Sequence, residues 1–162
     1  MIIKTPTSPN QDLTPDIFLA GGVTYSPDWQ KEALKMLAGT DLIVANPRRD
    51  ELISAVGAPA RQQITWEFKN LKSAKVVLFW FPNAETIITF LELGKELARK
   101  SRIVVGVDPD YNRRFDIETS CLNKKLERVI CSATIATISK EFICVATKTT
   151  IKIIVNNRYK SN

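Results

Sequence analysis

Short apolar runs alternate with segments of helical periodicity along much of the sequence, and this alternation constrains the fold most. The runs are followed by glycine, proline or aspartate, as buried strands are where they enter a loop. Such alternation predicts a parallel sheet covered on both faces, a doubly wound α/β domain of the flavodoxin or Rossmann-like kind. We predict five strands, in the stretches DIFLAGG (16–22), DLIVANP (41–47), VVLFWFP (76–82), RIVVGV (102–107) and FICVAT (142–147).

Three helices are predicted between these strands, at residues 26–39, 57–75 and 86–100. Ser26 is the expected N-cap of the first helix, with Pro27 at its first position. Ile64, Phe68 and Leu71 are expected to share one face of the second helix. Residues 149–159 are interpreted as a last helix or a strand.

The length of 162 residues suffices for one sizeable core. Residues 1–15 contain three prolines and are expected to form an extended N-terminal arm, with residues 16–162 as a single domain. No run approaches the roughly 18 apolar residues of a membrane span, and the N-terminal stretch does not resemble a signal peptide. We therefore expect a soluble, cytoplasmic protein with no membrane partner.

The sequence contains no histidine, which excludes histidine-activated nucleophiles, histidine-ligated metals and imidazole acid–base catalysis. The three cysteines lack metal-type spacing and are expected to be reduced thiols. Neither GxGxxG nor GxxxxGK[ST] is present, so dinucleotide and P-loop chemistry are not expected. We expect no cofactor and no metal, and chemistry carried out by carboxylates, hydroxyls or amides.

The net charge of +6 resides in the last quarter of the chain, where eight basic residues follow position 120 against two acidic ones. Aromatic residues are not interleaved with them as in single-strand readers. We expect a solvated basic surface and do not expect a nucleic-acid partner, although a positive tail can attract one.

Polar residues follow the predicted strands at their carboxyl ends, which meet at one edge of a parallel sheet and form the ligand crevice. Simpler explanations remain open: a tight turn for the glycine pair, ion pairs with Asp50 and Glu51 for the arginines, and core packing for the aromatic run at 79–81. The candidates are Gly21, Gly22, Thr24, Tyr25, Asn46, Arg48, Arg49, Phe81, Asn83, Glu85, Thr86, Asp108, Asp110, Tyr111, Arg113 and Arg114.

Glu92 is the most informative acidic residue, although the helical wheel alone predicts a solvated side chain. Ile87, Leu91, Gly94 and Ala98 form an apolar stripe, and Glu92 lies on the opposite side. The helix follows the carboxyl end of a strand, however, so its first turns border the crevice. The helix dipole would favour an ionised carboxylate there.

Six motifs in order resemble the nucleoside 2-deoxyribosyltransferase family, in its branch of short, distant relatives. They are IFLAGG with the following Trp29, NPRR, QITWE, FWFP, LELG and VGVDPDYNRR, and they span about residues 16–118. Residues 142–157 are expected to match the end of the family domain.

The resemblance implies that Glu92 of the ELG motif attacks the anomeric carbon of a deoxyribonucleoside and forms a covalent glycosyl-enzyme. It implies that Glu67 lies near the nucleobase and protonates or hydrogen-bonds it, with Trp66 beside it in the binding site. Gly94 would then pack closely beneath the nucleophile. A homo-oligomer is also implied, with a neighbouring subunit completing the pocket.

The chain departs from the family pattern at three positions. Phe18 stands where an aromatic hydroxyl commonly holds the nucleophile, Thr86 where an aspartate is frequent, and Lys75 where an aspartate precedes the central strand. These departures place classical base exchange and ribose recognition in question.

The leading hypothesis is an N-glycosidic enzyme that transfers deoxyribose to another base or to water, with Arg48 and Arg49 fitting a 5′-phosphate. The alternative is a non-catalytic nucleotide-binding or sensor module that uses the same crevice. A third hypothesis is a nucleic-acid binder that uses the basic tail.

Overall fold

A computed structural model of the chain describes residues 1–23, 25–51, 53–99, 101–123 and 129–131. The strands are β1 (Ile2–Lys4), β2 (Ile17–Gly21), β3 (Ile43–Ala45), β4 (Val76–Phe81), β5 (Ile103–Val107) and β6 (Val129–Cys131). The helices are α1 (Trp29–Leu37), α2 (Ala58–Ser73), α3 (Ile87–Arg99) and α4 (Arg114–Asn123).

The strands form one parallel sheet in the order β1-β3-β2-β4-β5-β6, which confirms the predicted doubly wound α/β fold. Without β1, this is the flavodoxin-like order. Four of the five predicted strands are present, whereas the fifth, at 142–147, and the predicted element at 149–159 lie outside the described residues. Two strands were not predicted: β6, and β1 within the N-terminal arm.

The apolar strand β4 lies at the centre of the sheet and is buried along its whole length. Its side chains alternate between two core layers, because successive residues of a strand point to opposite faces. Val77, Phe79 and Phe81 pack in the layer beneath α2, α3 and α4. Val76, Leu78 and Trp80 pack in the layer beneath α1, so the hydrophobic core lies on both sides of the sheet.

Helix α1 begins two residues later than a Ser26 cap would place it, so that prediction was wrong. Asp28 is the N-cap, and its Oδ1 accepts a hydrogen bond of 3.0 Å from the backbone N–H of Lys31. A carboxylate oxygen caps a helix as a hydroxyl oxygen does, and Asp28 stands two residues after Ser26. The helix ends before Gly39, whose φ of +82° favours glycine.

The inward face of α3 differs from the predicted apolar stripe. Leu93 is buried in the core, and Phe90 and Leu97 pack beside it. Ile87 and Leu91 are exposed instead. Two apolar stripes therefore run along this helix. The stripe of Phe90, Leu93 and Leu97 faces the sheet and packs in the core.

The N-terminal arm is attached to the sheet and to α2. β1 pairs with β3, and the buried Lys4 donates hydrogen bonds from Nζ to the carbonyl oxygens of Gln11 and Leu13. Trp66 Nε1 on α2 donates to Gln11 Oε1 at 2.7 Å. Among the described residues, no helix combines the length and the apolar character required to cross a membrane.

Candidate active site

The cleft opens between β2 and β4, where the chain leaves neighbouring strands toward opposite faces of the sheet. α1 follows β2 on one face, and α3 follows β4 on the other. Ligands of open α/β sheets bind at such a switch point. The cleft has a volume of about 530 Å³ and is lined by Phe18, Ala20, Gly21, Gly22, Val23, Tyr25, Pro47, Glu67, Glu85, Thr86, Ile87, Ile88, Thr89 and Glu92.

The glycine pair at the end of β2 is required by close packing. A Cβ on Gly21 would lie 2.4 Å from the carbonyl oxygen of Trp80 and 2.6 Å from a ring carbon of Trp29. A Cβ on Gly22 would lie 3.0 Å from Thr86 Cγ2. Trp29 Nε1 also donates to the carbonyl oxygen of Gly22 at 2.9 Å. The pair therefore lets β2, β4 and α1 approach each other at the floor of the cleft.

Two carboxyl groups from different helices line this cleft, Glu67 from α2 and Glu92 from α3. Burial raises the pKa of Glu92 to about 7, and the negative charges of Glu67 and Glu96 act in the same direction, against Lys95. Near neutral pH, such a pair can supply one ionised and one protonated carboxyl group. That is the combination required for nucleophilic attack assisted by an acid.

Glu67 is held by a hydrogen-bonded group that sequence reasoning missed. Gln63, one turn earlier on α2, donates from Nε2 to Glu67 Oε1 at 2.7 Å and to the carbonyl oxygen of Pro47 at 2.8 Å. Arg49 Nε donates to Gln63 Oε1 at 2.6 Å. Burial raises the pKa of Glu67, while the hydrogen bond from Gln63 and the charge of Arg49 oppose that rise.

Arg48 and Asn46 lie beside the cleft and do not line it. The Arg48 guanidinium donates to Gln30 Oε1 at 3.1 Å, contacts the carbonyl oxygens of Ser26 and Pro27, and pairs with Asp28. Asn46 Oδ1 accepts from the backbone N–H of Arg48 at 3.1 Å. In the described part of the chain, neither Arg48 nor Arg49 pairs with Asp50 or Glu51, the simpler explanation that the sequence had left open.

A second cavity of about 560 Å³ adjoins the first at the start of α3 and contains Asn83 and Tyr111. Thr86 lies at both cavities, and its Oγ1 is 2.6 Å from the hydroxyl oxygen of Tyr111. The residues Asn83, Thr86 and Tyr111, which were predicted to contact a ligand after β4 and β5, therefore line two adjacent cavities and not one.

The other predicted binding residues lie outside the first cleft. Trp66 packs against Phe18 with ring centroids 6.1 Å apart, and Phe81 is buried against Phe90 at 5.2 Å. Asp108 Oδ1 accepts from the backbone N–H of Asp110 at 3.0 Å. Their roles as ligand contacts remain predictions, and Thr24 lies outside the described residues.

Gly94 does not pack beneath Glu92, so that part of the interpretation was wrong. It is exposed, and a Cβ there would meet nothing within 4 Å. The residue that lies one turn before Glu92 and shares its cleft is Thr89, which is buried. The spacing of three residues places Thr89 on the same side of the helix as Glu92, as the helical wheel indicates.

Cys121 is a buried thiol without a disulfide, as expected, and burial raises its pKa to about 12. Within the described ranges, no group of three or more cysteine, aspartate or glutamate side chains is placed to hold a metal ion. The site chemistry visible in this structure is that of the carboxyl pair and its polar surroundings.

Comparison with known families matches residues 14–111 to the family described as nucleoside 2-deoxyribosyltransferase like. The match covers more than half of the chain and includes both carboxylates of the cleft, which confirms the resemblance found in the sequence motifs. Comparison with curated proteins finds no match.

Proposed function

Because the chain belongs to the nucleoside 2-deoxyribosyltransferase-like family, we propose that it cleaves the N-glycosidic bond of a nucleoside with Glu92 as nucleophile. The observation that carries the proposal is the placement of Glu67 and Glu92 on two helices that face one cleft. Both lie within the residues that match the family.

In the proposed reaction, a carboxylate oxygen of Glu92 forms a bond to the anomeric carbon while the bond from that carbon to the base nitrogen breaks. Glu67 gives its proton to the departing base, so the base leaves neutral. The sugar stays on Glu92 as a glycosyl ester, as in retaining glycosidases. A second base or a water molecule then gives a proton to Glu67, attacks the same carbon and releases Glu92 as a carboxylate.

The environment of the two arginines favours nucleosides over 5′-nucleotides. Arg48 is bonded to the loop before α1 and to Gln30, and Arg49 is bonded to Gln63. A phosphate would have to compete with these partners. We therefore propose an unphosphorylated substrate, a change from the preference that the sequence suggested.

Exposed apolar side chains flank both carboxylates. Ile64 and Phe68 lie beside Glu67, and Ile88 and Leu91 lie beside Glu92; each of these four apolar side chains is 56–64% exposed. Exposed apolar clusters of this kind are typical of interaction surfaces. We propose that a second copy of the chain covers them and narrows the mouth of the cleft. Light scattering should show an oligomer that Leu91→Lys dissociates.

The decisive experiment is chromatographic. The purified protein is incubated with ribo- and deoxyribonucleosides and their 5′-monophosphates, with and without a different free base, beside Glu92→Gln. Base release that requires Glu92 supports the proposal, and a new nucleoside that forms only with added base indicates transfer rather than hydrolysis.

If no substrate in the panel loses its base, the catalytic proposal fails. Ligand binding that persists equally in the wild type and in Glu92→Gln would then favour the non-catalytic binding module. One observation favours that alternative: Phe18 lines the cleft at the position where an aromatic hydroxyl would hold the nucleophile, and phenylalanine has no hydroxyl.

A further inference from the structure

Gln63 uses all of its hydrogen-bonding groups to join three segments of the chain. It lies four residues before Glu67 on α2, a spacing that places both side chains on one face. Its two amide hydrogens go to Pro47 O and Glu67 Oε1, and its amide oxygen accepts from Arg49 Nε.

The orientation of this amide is determined by its partners. If its oxygen and nitrogen were exchanged, the oxygen would face the oxygens of Pro47 and Glu67, and the nitrogen would face the N–H of Arg49. All three contacts would then be repulsive. Arg49 therefore fixes Gln63 with an N–H directed at Glu67.

We propose that Gln63, held by Arg49, is a positioning residue that occupies Oε1 of Glu67 and so leaves Oε2 to carry the proton given to the departing base. This inference rests on the proposed function. In the described part of the chain, Oε2 of Glu67 has no hydrogen-bond partner. As the proton moves from Oε2 to the base nitrogen, the bond from Gln63 stabilises the carboxylate that forms.

The charged and titratable groups around Glu67 come from several elements. Arg49 follows β3 and acts through Gln63, Glu92 faces the cleft from α3, and Glu85 and Tyr25 line the same cleft from the loops after β4 and β2. Loss of the Gln63 donor should raise the pKa of Glu67, because the hydrogen bond favours the ionised form. A more protonated Glu67 carries less negative charge, so the pKa of Glu92 should fall.

The test compares Gln63→Met with Gln62→Met. Gln62 is the adjacent, exposed residue of α2, and within the described ranges its side chain makes a single hydrogen bond, accepted from Arg49 at 3.4 Å. Carbon-13 NMR of the glutamate carboxyl groups follows both titrations, with Glu67→Gln and Glu92→Gln used for assignment. The expected result for Gln63→Met is a pair of opposite shifts, upward for Glu67 and downward for Glu92, and for Gln62→Met no shift of either.

The pH dependence of base release provides the second readout. Gln63→Met should narrow the bell-shaped profile, because the two titrations move toward each other, and it should lower kcat by roughly tenfold at unchanged KM, part of the 10²- to 10⁴-fold that a positioned acid contributes. Arg49→Met should shift both titrations in the same directions, and Arg49→Lys should restore part of the effect by keeping the charge.

Titrations that are the same in wild type, Gln63→Met and Arg49→Met would overturn the assignment, as would shifts of both carboxyls in one direction. If Gln63→Met does not fold, Arg49→Met decides the question by the same measurement. Absence of base release from the wild type would refute the proposed function, whereas the titrations would still decide whether Gln63 positions Glu67.

Discussion

Glu67 and Glu92 face one cleft from neighbouring helices, and the charge of Glu67 adds to burial in raising the pKa of Glu92. Two carboxyl groups that interact in this way titrate as a pair. The first proton lost by the pair leaves one carboxylate and one acid in the cleft, and the proposed glycosyl transfer uses the form in which Glu67 holds the remaining proton.

Base release should fall as pH rises through about 7, because the charge of Glu67 already contributes to the pKa of about 7 at Glu92, so loss of the Glu92 proton leaves both carboxyls ionised and no acid for the departing base. In Glu67→Gln this fall should disappear, and the rate should instead rise with pH as Glu92 ionises, below pH 7, while kcat falls by roughly 10²-fold or more. Initial rates between pH 5 and 9 test both effects. A fall near pH 7 that persists in Glu67→Gln would show that Glu67 is not the acid.

The stability of the protein should also depend on Glu92. Its pKa rises from an ordinary value of 4.5 to about 7 on folding, so the folded state holds this proton more tightly. The free energy of unfolding should therefore fall as pH rises from 4.5 to 7, and the loss should be complete above pH 7.

Glu92→Gln should remove this loss and stabilise the protein at pH 8 by about 2 kcal/mol, with little effect near pH 4.5. Urea unfolding at both pH values measures it. Glu32→Gln, which changes an exposed carboxyl of α1, is the control and should stay within about 0.5 kcal/mol. Equal effects of Glu92→Gln at the two pH values would contradict the raised pKa.

Alanine at two glycines should have opposite effects. Gly21→Ala places a Cβ against backbone and an indole ring and should lower the free energy of unfolding by about 1–3 kcal/mol. Gly94→Ala fills open space within a helix and should raise it by about 1 kcal/mol. Thermal and urea unfolding compare the two, and destabilisation by Gly94→Ala would mean that a neighbouring surface packs there.

Thr86 and Tyr111 should be energetically coupled, because their hydroxyl groups share a buried hydrogen bond of 2.6 Å. Thr86→Val and Tyr111→Phe should each lower the free energy of unfolding by about 1–2 kcal/mol, since each leaves the other hydroxyl unpaired. The double variant should lose less than the sum. Strict additivity in this double-mutant cycle would argue against the bond.

The fold was predictable where burial is continuous, and less so where it is partial. β4 is apolar along its whole length because both faces of the sheet are covered, and its sequence reveals this directly. α3 carries Ile87 and Leu91 on one side and Phe90 and Leu93 on another, so periodicity alone could not choose the inward face. The choice depended on contacts with the sheet.

The site was predictable in its carboxylates and less so in their partners. Glu92 and Glu67 stand in recognisable motifs; Gln63 opens the same QITWE motif as Glu67, but it carries no charge and was not among the predicted site residues. Arg48 pairs with Asp28 and Gln30, which are distant in sequence and become neighbours only when β2 and β3 align. Contacts of this kind follow from tertiary structure.

The short strand β1 has a consequence for how copies of the chain can associate. It covers the outer side of β3 with only three residues, and Pro6 and Pro9 follow soon after it. An edge this short, continued by residues that cannot donate backbone hydrogen bonds, is a poor template for adding another strand. Edge-to-edge pairing of two sheets is therefore disfavoured on this side, and copies of the chain would associate through their helical surfaces instead.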